Sequence, residues 1–66
     1  MNKAAARIGR EALLDEQLFL ERSIEDLGRE LAAGDVSAAD YERLRAAYAA
    51  RASEVAAALE AQALER

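Results

Sequence analysis

The stretch Gly34-Asp35-Val36-Ser37-Ala38-Ala39-Asp40-Tyr41 is the one strong break in a sequence otherwise biased to helix. Gly34 has no Cβ, so it can take the left-handed backbone conformation that closes a helix. Ser37 is a good N-cap three residues later, because its hydroxyl can accept a hydrogen bond from an amide two or three positions on. Asp40 falls at the third helical position, where a carboxylate can reach back to the cap and favours the positive helix end. Val36, between stop and start, suits a hydrophobic staple. A helix over about residues 3–33, a turn over 34–37 and a helix over about 38–65 therefore fold back on one another. The predicted fold is all-α, a single antiparallel two-helix hairpin over residues 1–66.

The first half has no proline and favours Ala, Leu, Glu and Arg, all good helix formers, with Asn2 suited to cap it. Leu13, Leu20, Ile24, Leu27 and Leu31 recur in a 3-4 alternation, with Gln17 in the one polar slot. At about 100° per residue, Leu14 and Leu18 lie to one side of that stripe and Phe19 with Ile8 to the other. Between Leu13 and Leu20 the helix is thus apolar nearly all round. One partner helix cannot cover such a surface, and an uncovered patch of this kind marks an interface. Gly9 and Gly28 weaken the helix. Each reads either as a tolerated surface glycine or as a point of close helix approach.

The second half carries Tyr41, Leu44, Tyr48, Ala52, Val55, Leu59 and Ala63 on one stripe. This is an 11-residue repeat, which favours straight or slightly right-handed packing. Its many alanines let helices come close but bury little each. Folding at the turn pairs Leu31 with Tyr41, Leu27 with Leu44 or Val36, Ile24 with Tyr48, Leu20 with Ala52, Gln17 with Val55 and Leu13 with Leu59. The two stripes stay in phase almost to the open end. Tyr41 and Tyr48 lie on the core stripe and read as packing residues whose hydroxyls reach solvent.

A chain of 66 residues has at most a marginal core of its own. It has no cysteine for a disulfide, and no histidine or cysteine for a structural zinc. Association is the remaining remedy. The simplest form is a two-fold dimer of hairpins making a four-helix bundle, with Ile8, Leu14, Leu18 and Phe19 as the intermolecular surface.

The residues offer little chemistry. Ser23, Ser37 and Ser53 have no histidine or cysteine to activate them, and no phosphate-cradling glycine loop is present. Glu21 and Glu25 are one turn apart, as are Asp26 and Glu30, but the Glu-x-x-His partner of carboxylate-bridged metal sites cannot occur. These carboxylates read as a solvated face, with Glu25–Arg29 and Arg22–Asp26 as surface pairs. Lys3, Arg7 and Arg10 form a basic stripe that reads as end-capping, Arg7 near Glu65 and Arg10 near Gln62, rather than as a phosphate or membrane contact. The expectation is a non-enzymatic protein-interaction module with no cofactor. A net charge of −4 with mixed signs argues against general nucleic-acid binding, and no apolar run is long enough to span a bilayer. With no apolar core of a signal peptide at its start, the chain reads as soluble and cytoplasmic.

The run Leu27-x-x-Glu30-x-Ala32-x-Gly34-Asp35-Val36-Ser37-x-x-Asp40-Tyr41-x-x-Leu44-x-x-x-Tyr48 resembles the soluble helical segment of bacterial cytochrome c-type biogenesis proteins of the CcmI/CycH kind. The likeness extends upstream to Leu14-Asp15-Glu16 and downstream to Arg51-Ala52. It implies an interaction segment of a protein that helps deliver apocytochrome for haem attachment, placed at the membrane face if the parent protein is anchored. It implies no haem ligand here, since no Cys-x-x-Cys-His is present. The core of that run is also similar to SHOCT helical hairpins, which implies oligomerisation. A dimeric hairpin of this length further resembles Rop, the plasmid-copy-control protein, which implies RNA binding as the alternative. Against that alternative, the basic residues are scattered and Phe19 is the only aromatic off the core stripes.

Overall fold

A computed structural model describes residues 3–64, with side chains from residue 9 onward. It contains two helices, α1 (Lys3–Ala32) and α2 (Ala38–Leu64), packed against each other with no strand among the described residues. The expected cap at Asn2, the end contacts of Lys3, Arg7 and Glu65, and the Ile8 side chain lie outside the described residues. The molecule measures 49 × 15 × 12 Å, and its radius of gyration is 15.1 Å. A compact globule of this length would have a radius near 11 Å. The hairpin is a rod.

The turn is built by local backbone chemistry. Gly34 adopts a φ of 79°, the left-handed conformation expected of it. That places its amide on the Leu31 carbonyl at 3.0 Å and the Asp35 amide on the Glu30 carbonyl at 2.8 Å. These two bonds form a Schellman motif, which satisfies carbonyls the helix end would otherwise leave bare. Arg29 lies in the last turn, where a cation suits the negative helix end. Ser37 then caps α2: its Oγ accepts from the Asp40 amide at 3.1 Å, and its carbonyl takes the Tyr41 amide at 2.8 Å.

Only half of the expected capping box forms. The Asp40 carboxylate does not reach back to the cap; its Oδ1 accepts from Arg43 Nη2 at 3.0 Å instead. An aspartate is one methylene shorter than the glutamate that the reciprocal bond favours. Asp40 still stands in the first turn, on the right side of the helix dipole.

The core is a single line of side chains. Leu20 and Leu27 from α1 are each 4% exposed, and Val55 from α2 is fully buried. The other stripe residues, Leu13, Ile24, Leu31, Tyr41, Leu44, Tyr48, Ala52 and Leu59, are half-buried, while Ala63 is exposed. One neighbouring helix shields the middle of a stripe and leaves its margins wet. Leu27, Leu44 and Tyr48 line one open cleft, as the register predicts.

Neither helical glycine is required by packing inside the hairpin. A Cβ at Gly28 would meet nothing within 4 Å, and one at Gly9 would stand 3.8 Å from Gln62 Nε2, an ordinary contact. Close helix approach at these two positions is therefore not what the structure has. Gly34 differs, since its positive φ is strained for any other residue although the space around it is open.

Glycine replacements should then move stability in opposite directions. Gly28→Ala should gain up to about 1 kcal/mol, and Gly34→Ala should lose about 1–2 kcal/mol, read from denaturant midpoints. Leu27→Ala removes one of three buried anchors. It should cost about 2–5 kcal/mol, leaving little helical signal in circular dichroism at any concentration.

Candidate functional site

An antiparallel pair of helices has two flanks, and position around each helix assigns residues to them at about 100° per residue. One flank is marked by a contact across the pair. Arg51 Nε donates to Glu16 Oε2 at 2.6 Å and Nη2 donates to Glu16 Oε1 at 2.8 Å. The third nitrogen, Nη1, donates to Glu54 Oε1 at 3.1 Å. Arg51 is thus held in a planar, bidentate fork on one carboxylate and steered by a second.

This is the one ion pair among the described residues that ties α1 to α2. The Glu16 hydrogen bonds with Arg51 hold its carboxyl below its ordinary value, against a smaller opposing effect of burial. The same partners raise the Arg51 guanidinium, which is charged at every accessible pH. Sequence reasoning missed this pair because it matched stripe residues only. Glu16 and Arg51 stand one step outside the stripe, beside Gln17 and Ala52, where side chains of facing helices meet across a seam.

The other ion pairs are local. Arg29 bonds Asp26, Arg43 bonds Asp40 and Arg45 lies 3.7 Å from Glu42. The expected pairs Glu25–Arg29 and Arg22–Asp26 do not form. Arg29 turns to the carboxylate three residues back rather than four, and among the described pairs Arg22 takes part in none. Exposed spacings of three and four are nearly equivalent in energy, so the sequence alone does not choose between them.

Among the described residues, four large apolar side chains are exposed: Leu14 at 48%, Leu18 at 46%, Phe19 at 63% and Leu64 at 78%. Three of them are the interface residues expected from the sequence, and the structure does not bring those three together. Phe19 lies on the Glu16 side of the Leu20–Leu27 line. Leu14 lies on the opposite side, with Leu18 beyond it at the rim. Between Leu18 and Phe19 runs a charged back ridge that includes Glu11, Asp15 and Arg22, all exposed.

On α2 the flank across from Arg51 carries alanine. Ala49 and Ala52 are half-buried there, and Ala56 is exposed. Near the open end Gln62 Oε1 is buried with no hydrogen-bond partner among the described residues. Among the described residues no group of three or more potential metal ligands converges, and no helix is long and apolar enough to cross a membrane.

No family model, curated protein or solved structure matches this chain.

The Glu16–Arg51 bond makes stability depend on pH in one direction. A carboxyl whose folded pKa is depressed favours the folded state above its unfolded value of about 4.5, and that contribution disappears as pH falls through the lower folded value. Glu16→Gln should therefore lower the urea midpoint near neutral pH. The difference from wild type should shrink steadily below about pH 4.5 and vanish once Glu16 is protonated in the folded state as well. High salt should narrow the neutral-pH gap as well.

Proposed function

We propose that this chain is a non-enzymatic helical-hairpin module that acts by self-association, most simply as a two-fold dimer forming a four-helix bundle. The observation that carries this reading is the imbalance of the apolar side chains. Among the described residues three are buried, and four large ones stand in solvent.

Area supports the same reading. The hairpin exposes 5145 Å². A compact monomer of its mass would expose roughly 4,100 Å². The excess, on the order of 1,000 Å², is close to the roughly 800 Å² that each partner contributes to a stable interface of standard size. A second hairpin laid along the first would cover that excess. It would also convert the half-buried margins of both stripes into the interior of a bundle.

A contact module of this kind accommodates the resemblance to the helical segment of cytochrome c-type biogenesis proteins, because such a segment works without histidine or cysteine. It accommodates the likeness to SHOCT hairpins for the same reason. RNA binding draws less support. Arg29, Arg43, Arg45 and Arg51 each lie against an acidic side chain of the hairpin, so binding phosphate would first require breaking those pairs.

Sedimentation equilibrium at micromolar concentration should return twice the mass of the chain, 7.1 kDa for one copy. A fully helical species with the mass of one chain would overturn the proposal.

A further inference from the structure

We infer that the two copies of the dimer lie with their turns at the same end, each α1 packed over the partner's α2. This rests on the self-association reading above and specifies its arrangement. It holds whichever flank makes the contact.

Two hairpins laid face to face can be related by a two-fold axis along the rod or by one across it. The axis along the rod keeps the turns together and sets α1 over the partner's α2. The axis across it puts the turns at opposite ends, with α1 over α1 and α2 over α2. The contents of the two helices choose between these arrangements.

Charge is the first difference. From Glu11 to Glu30, α1 carries seven carboxylates and two arginines, a net of −5. The facing stretch of α2, Glu42 to Ala61, carries three carboxylates and three arginines and is neutral. Helical position puts carboxylates on both flanks of α1, Glu16, Asp26 and Glu30 on one and Glu21 and Glu25 on the other. Arg22 and Arg29 stand on the back ridge between them. On α2 each flank has arginine, Arg51 and Arg43 on the first and Arg45 on the second. Packing α1 over α1 would bring carboxylates against carboxylates on either flank, and juxtaposed like charges oppose association. Rotation about the rod adds no slide, so residues keep the level they have inside one hairpin. Glu30 then stands nearly level with the partner's Arg43, and Glu25 with the partner's Arg45.

Size is the second difference. The same stretch of α1 holds seven large apolar residues and one alanine, while that of α2 holds four and nine. Packed helices stand about 8–10 Å apart according to the side chains between them. With like over like, the α2 pair would close to the short end of that range and the α1 pair would stand at the long end. Such a bundle would splay to one side. Setting α1 over α2 evens the spacing and lets large and small side chains interdigitate. Charge and size agree. The occupant is another hairpin because the excess surface of one chain is about one partner's share of a stable dimer.

The chain has no cysteine, so a spin label on one introduced thiol can read the arrangement. Asp35 is exposed in the turn, at one end of a rod 49 Å long. In dimers of the Asp35→Cys chain, pulsed dipolar spectroscopy should return a label separation below about 30 Å, since neighbouring helices lie about 10 Å apart. A separation above about 40 Å, most of the helix length at 1.5 Å per residue, would overturn the arrangement. Ala39→Cys, exposed in the first turn of α2, gives a second reading at the same end should the turn variant unfold. A folded sample with the sedimentation mass of one chain and no coupling between labels would instead overturn the self-association reading beneath it.

Discussion

Two helices can share only one seam, and the rest of this structure follows from that constraint. A helix presents a full circumference of side chains, and a single neighbour shields less than half of it. In this hairpin the shielded line comes down to Leu20, Leu27 and Val55, with the remaining stripe residues half in water and Ala63 exposed. Hydrophobic stabilisation scales with apolar area removed from solvent, so such a line contributes little to a chain of this length. The elongated shape is the same fact seen from outside. Covering the margins of the seam requires a third element, and the described residues supply only two.

The parts of the molecule governed by neighbours in sequence were legible in advance. Gly34 closes α1 because no other residue takes its φ without strain, and Ser37 opens α2 because its oxygen reaches an amide three residues on. Both are properties of a few consecutive residues. The seam was legible too, since a stripe at helical spacing must face something and a four-residue turn sets the register. What the sequence left open lies one level higher. Whether Asp40 would bond the cap or Arg43, and whether Arg29 would choose Asp26 or Glu25, turns on small differences in reach among exposed groups. The Glu16–Arg51 fork depends on which positions border the seam once both helices are in place.

The sequence placed Leu14 and Leu18 to one side of the stripe and Phe19 to the other, and the structure keeps that division. A helical wheel of α1 alone places Leu14, Leu18 and Phe19 off the seam, and all three are exposed. It does not say which of them share a flank with apolar surface on α2. That information comes from α2, where Arg51 stands on one side of Val55 and Ala49, Ala52 and Ala56 on the other. Alanine is a weak signal in a sequence because it favours helix everywhere. Both sides of Val55 carry ion pairs, Arg51 with Glu16 and Glu54 on one and Arg45 with Glu42 on the other.

The central claim is that the hairpin depends on association for much of its stability. A dilution series read by circular dichroism addresses it most directly, because folding coupled to dimerisation follows mass action. The account predicts that the midpoint of thermal unfolding rises steadily with chain concentration, with helical signal falling away in the most dilute samples. A melting temperature and helicity independent of concentration over a range of about a thousandfold would contradict it.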